Sequence, residues 1–161
     1  MLIPTIIQTV DFVLYIAFIL IKFKQILPSI SESWYRLRDL GGTLNGLFTL
    51  FCWGIGFPML LQTNDIAPYL FFLSGAGLVF VGTAAMFREV DDKLQGILHT
   101  VGASIGIVGA LAGIWVERGS FIPLLVFAIA SILLYLIKVK NLTWWIEMSA
   151  FLSILYGLYF F

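Results

Sequence analysis

Residues 94–115 read "LQGILHTVGASIGIVGALAGIW", a mostly apolar run that carries His99, the only histidine in the chain. A run of about 20 such residues is what a helix needs to cross the hydrocarbon core of a bilayer. Small residues recur through it at helical spacing: Gly102, Ala103, Gly106, Ala110 and Gly113. Gly102 with Gly106, and Gly109 with Gly113, are small residues four apart, a spacing that lets helices approach closely. The pattern predicts a helix whose small-residue face packs on protein, with His99 on or beside that face.

Composition sets the class around this segment. The chain has 161 residues, of which 61% are hydrophobic and 11% charged. Soluble domains carry roughly 25% charged residues. The mean hydropathy is +1.04. These values predict an integral membrane protein. The formal net charge is zero, so no basic surface argues for a nucleic-acid partner. Cys52, the one cysteine, can form no intrachain disulfide.

Six apolar segments are legible, at about 2–21, 44–61, 67–87, 94–115, 121–137 and 142–160. Only the first connection, "KFKQILPSISESWYRLRDLGG", is long. The expected fold is an all-α bundle of six transmembrane helices, with a short interfacial helix between the first two. The whole chain, 1–161, reads as one domain. The first segment lacks a positive side chain before Lys22 and a small-residue cleavage motif, so it reads as retained rather than as a signal peptide.

Lys and Arg placement predicts orientation. Lys22, Lys24, Arg36 and Arg38 lie in loop one, Arg88 and Lys93 in loop three, and Lys138 and Lys140 in loop five. Only Arg118 lies in an even loop. The odd loops are expected in the cytoplasm and both termini on the far side. Trp144 and Trp145 are expected in an inner interfacial belt and Trp115 in the outer one.

Loop one has its own signal. Ser29 and Glu32 have capping-box spacing. A helix over about 30–39 would put Ile30, Trp34 and Leu37 on one side. It would offer Ser31, Glu32, Trp34, Arg36 and Arg38 for contact with lipid headgroups or a partner.

Ionisable residues inside membrane spans are costly, about 2.5–3.5 kcal/mol on insertion scales, and mark functional candidates. Asp11, His99 and Glu147 qualify. Gln8, Asp11, Tyr15 and Lys22 share one helical stripe. In a compact bundle Asp11 and His99 can line one cavity. Glu147 could meet His99 there, but the small-residue face of its helix, Ser149, Ser153 and Gly157, points elsewhere. Glu147 is therefore expected to snorkel toward Lys138 or Lys140. The sequon "NLT" at Asn141 falls on the predicted inner side, so Asn141 or Thr143 reads as a helix N-cap. One histidine builds no three-histidine zinc site, so neither metal nor cofactor is expected. A serine of loop one (Ser29, Ser31 or Ser33) could pair with His99, though spacing alone does not place them together.

Two stretches carry a resemblance. "ISES" at 30–33 resembles the "ISDTG" motif of Frag1/DRAM-like six-span membrane proteins, and "HTVGA" at 99–103 is similar to their histidine followed by "GA". Glu32 stands where that motif has Asp, and Ser33-Trp34 where it has Thr-Gly. The resemblance implies a six-span fold, distantly related to alkaline ceramidases and progestin/adipoQ-type receptors. The metal-binding histidines of the hydrolases have no counterpart.

The residues favour a non-enzymatic protein that binds a membrane lipid or a membrane-protein partner, or a second copy of itself. The cavity would be lined by Asp11 and His99. Two alternatives are a ceramidase-like intramembrane lipid hydrolase, with His99 and a carboxylate as acid and base, and a proton or ion pathway along Gln8, Asp11 and Tyr15.

Overall fold

The computed structural model describes residues 2–41, 43–62, 68–84 and 92–161. Among them the protein is all-helical: α1 (Leu2–Phe23), α2 (Glu32–Asp39), α3 (Gly46–Leu60), α4 (Pro68–Ala84), α5 (Asp92–Arg118), α6 (Ile122–Leu136) and α7 (Leu142–Phe160). Six of these coincide, within a few residues, with the apolar segments of the sequence. The end of the third segment, 85–87, lies outside the described residues.

Among the described residues, two helices are long and apolar enough to cross a membrane: α1, and α5 from Gly96 to Arg118. The most apolar windows of these two are only 28% and 39% buried inside the protein. The core helix of a water-soluble domain would be mostly covered. The other apolar helices are shorter. α3 and α6 have 15 residues each, or about 22 Å at 1.5 Å per residue.

Glycines set the closest approaches. α4 and α5 make the most extensive helix–helix contact. A Cβ on Gly77 would lie 2.6 Å from Gly102 O and 2.8 Å from Gly106 N, so two backbones touch there. Gly109 and Gly113 lie against Leu70, Phe71 and Ser74 of α4. The small-residue face of α5 is thus a packing face. Ser74 Oγ donates to Gly106 O at 2.6 Å across the same seam. Gly56 and Gly75 form the corresponding contact between α3 and α4.

α1 lies on α3 and α7, and α7 also packs on α5 and α6. Loops one and five meet at one end of the molecule. There Asn141 Nδ2 donates to Ile26 O at 2.8 Å, and Trp144 N donates to Pro28 O at 3.1 Å. At the other end, Gln62 Nε2 donates to Gln8 Oε1 at 2.7 Å. Gln8 Nε2 donates in turn to Ile55 O at 3.0 Å. Both glutamines are fully buried.

Two expectations at the loop end are corrected. Trp144 is buried in the core, because its position faces loop one rather than the outside. Asn141 does occupy the N-cap position of α7, but with φ 59° and no side-chain cap bond. Its amide is spent on Ile26 instead. Trp115 is exposed, as an outer-belt tryptophan would be.

Candidate functional site

The first loop is folded into the end of the bundle by a chain of hydrogen bonds. Ser29 Oγ accepts from Glu32 N at 3.0 Å, one half of the capping-box exchange, though the N-cap position of α2 is Ser31, which makes no side-chain cap bond. Ile30, Trp34 and Leu37 then turn one buried side toward α1 and α3. The Ile30 peptide is held at both ends. Its N–H donates to Glu147 Oε2 of α7. Its carbonyl accepts from the Ser33 hydroxyl. That commits the single hydroxyl proton of Ser33, so the Tyr15 hydroxyl of α1 is the donor in its 2.5 Å bond to Ser33 Oγ.

Beneath this loop is a cavity of about 40 Å³. It has room for about three water-sized groups at 10–15 Å³ each. His99 of α5, Glu147 of α7 and Ser31 of the loop supply its polar lining, and Cys52 is on its α3 side. The remaining wall is apolar, with Phe48, Phe51, Leu78, Val81, Ala103 and Phe151 among its members. A carboxylate and an imidazole therefore face a small space in which both are poorly solvated. Among the described residues no group of three or more His, Cys, Asp and Glu is placed to hold a metal ion.

Glu147 does not snorkel toward Lys138 or Lys140. It points inward, because the Ile30 N–H offers a buried partner that a solvent-directed carboxylate would give up. The signal was present in the sequence. Trp144, Glu147, Phe151, Ile154 and Leu158 share i, i+3, i+4 spacing, and Trp144, Ile154 and Leu158 are buried.

Asp11 and His99 are not brought together. Asp11 opens onto a separate groove of about 310 Å³ between α1 and α3, lined also by Leu14, Tyr15, Phe18, Leu47, Leu50 and Phe51. Phe51 is the wall common to both spaces, and Tyr15 stacks on it at 4.3 Å between centroids. Of the stripe, Gln8 bonds Ile55 and Gln62, while Asp11 and Tyr15 both line the α1–α3 groove, the Tyr15 hydroxyl turning to Ser33. Lys22, the fourth position, is exposed.

The α2 candidates are split as well. Ser31 reaches the cavity and hydrogen-bonds Ser29 Oγ at 2.9 Å. Trp34 is buried. Glu32 pairs with Arg36 at 3.4 Å, and the Arg38 guanidinium sits 5.4 Å over the Trp34 ring. Both arginines are therefore already engaged within α2. Cys52 is the lining residue that sequence reasoning did not assign to a site; only its place in an apolar run was visible.

Comparison with family models, curated proteins and solved structures finds no match to this chain.

Proposed function

We propose that the chain is a six-span integral membrane protein that binds the polar part of a lipid, its ester, amide or hydroxyl region, in the cavity shared by His99, Glu147 and Ser31. The observation that carries this reading is that convergence: donor and acceptor groups from α5, α7 and loop one meet inside an apolar wall. Ligand sites commonly combine an apolar lining with a few polar groups that fix orientation.

The membrane reading rests on the outside of the molecule. Large apolar side chains are exposed along α1, among them Ile3, Val10, Leu14 and Ile21, and along α6, among them Ile129, Ile132, Leu133 and Leu136. Pro123 is the only buried residue of α6. Apolar patches of that extent on a protein surface mark contact with lipid or partners. The short helices α3 and α6 would cross a thinned bilayer or extend through their flanking residues. Positive charge on loops one and five, which meet at one end, supports a cytoplasmic side for that end. The two stretches that resemble Frag1/DRAM-like proteins also meet here, since Ile30, Ser31, His99 and Ala103 all line the cavity.

The test is mass spectrometry of lipid carried through purification from a native membrane. Wild type should retain a defined lipid, and His99→Ala and Glu147→Gln should each lose it while keeping the helical circular-dichroism signal. Equal retention by all three proteins would overturn the reading.

One observation favours a second reading. An imidazole, a carboxylate and a hydroxyl in one cavity are the groups that an acid–base hydrolase of a lipid amide or ester needs. Release of fatty acid by wild type, abolished in His99→Ala, would select that reading over simple binding.

A further inference from the structure

Two segments of the chain end alike. Residues 20–24 read LIKFK and residues 136–140 read LIKVK. The first closes α1 and the second closes α6. Just past each helix end stands a lysine in the left-handed region, Lys24 and Lys138, both with φ 51°. Helices that end this way place glycine there, because an L side chain is strained in that conformation. Both ends of this chain carry a cation instead.

The fold brings the two ends together. Ile26, two residues after Lys24, accepts from the side chain of Asn141, which follows Lys140. Pro28 accepts from Trp144 N. α7 lies beside both α1 and α6, so the two helix ends flank it. Lys22, Lys24, Lys138 and Lys140 are all exposed. None of the four forms an ion pair with a described residue. The inward carboxylate of α7, Glu147, accepts from the Ile30 N–H. On the bilayer side of the lysines lie exposed apolar residues: Leu20 and Ile21 on α1, and Leu136 and Ile137 on α6.

We propose that these two lysine pairs form one site for the phosphate-bearing headgroup of an acidic phospholipid. Its chains lie along Leu20, Ile21, Leu136 and Ile137. Four exposed cations, on two helix ends that the Asn141–Ile26 bond ties to each other, attract a concentrated negative charge, and basic clusters at helix ends bind acidic headgroups in this way. The adjoining apolar residues select a lipid over a free anion. The site lies outside the cavity of His99 and Glu147. It rests on the membrane reading above but not on what that cavity binds.

The test is thermal unfolding of the full chain in a zwitterionic detergent, with short-chain phosphatidylglycerol, short-chain phosphatidylcholine or inorganic phosphate added. Phosphatidylglycerol at a hundredfold over half-saturation should raise Tm by about 5 °C or more. Phosphatidylcholine and inorganic phosphate at the same concentration should not. Lys24→Gly with Lys138→Gly relieves the backbone at both positions, so this variant should fold with an equal or higher starting Tm and lose the phosphatidylglycerol response. Lys22→Gln with Lys140→Gln should lose it too. His99→Ala should keep it. A full response in both lysine variants, or an equal response to phosphatidylcholine, would overturn the site. An equal response to inorganic phosphate would overturn the assignment to lipid. The membrane reading fails separately, if the protein stays monodisperse with detergent removed.

Discussion

The carboxyl of Asp11 sits in the space left by the missing side chain of Gly54: a Cβ there would lie 2.6 Å from Asp11 Cγ and within 2.9 Å of both carboxyl oxygens. Asp11 is near the middle of α1, and its Oδ2 has no hydrogen-bond partner. The glycine on α3 is what lets a carboxyl reside at that depth between two helices. Gly54→Ala should therefore force Asp11 aside and destabilise by about 1–3 kcal/mol, the usual cost of overpacking. Combining it with Asp11→Ala should cost less than the sum, because Asp11→Ala removes the carboxyl that the new Cβ at position 54 strikes. Tm in detergent measures both. Full additivity would mean that the two residues do not meet.

Gly77 and Gly96 should respond to alanine in opposite directions. A Cβ at Gly77 meets the backbone of Gly102 and Gly106, which cannot move aside as a side chain could. A Cβ at Gly96, also helical, meets nothing within 4 Å. Gly77→Ala should wedge α4 from α5 and lower Tm. Gly96→Ala should raise it, by up to about 1 kcal/mol from helix propensity. Equal effects would mean that the α4–α5 seam is looser than its glycines indicate.

The Gln8–Gln62 pair is a buried polar contact in which Gln62 Nε2 is satisfied by Gln8 Oε1, while Gln62 Oε1 has no partner among the described residues. Gln8→Leu leaves the Gln62 amide with no acceptor and removes the bond to Ile55 O. It should cost about 1–3 kcal/mol, the price of a buried unsatisfied group. Gln8→Leu with Gln62→Leu should recover much of that loss, because both polar groups are then gone. A double variant as unstable as the single one would show that side-chain shape, not hydrogen bonding, holds the two ends together.

Asp11→Asn and His99→Ala should affect lipid retention independently, because the two residues line different spaces. A double variant whose loss is much smaller than the sum would show that they act on one ligand after all. The same variants can be prepared for the retention assay on His99 and Glu147.

Much of the fold was open to a reader of the sequence. The six apolar segments and the bond from Glu32 N to Ser29 at the start of α2 were legible because each is local, set by residues within a few positions. The inward placement of His99 followed from Gly102, Gly106, Gly109 and Gly113, since a stripe of small residues has one physical use between helices. The site was harder. The small face of α7 at Ser153 and Gly157 is buried, but so is the bulky stripe through Trp144, Ile154 and Leu158 on which Glu147 lies, so one buried face does not exclude the other. What turns Glu147 inward is a backbone N–H 117 residues away, and no helical wheel contains that partner. The separation of Asp11 from His99 was equally unreadable. It depends on where Phe51 of a third helix stands.

The double tether of Ile30 has a consequence for how the protein is made. Its N–H partner, Glu147, is translated 117 residues later, while Tyr15 and Ser33 are already present on the emerging chain. Until α7 arrives, loop one carries an unpaired N–H and the cavity lacks a side. Ile30 thus works as a latch that α7 closes. A chain stalled before α7 would leave that opening exposed to proteolysis, and the arrival of α7 would hide it.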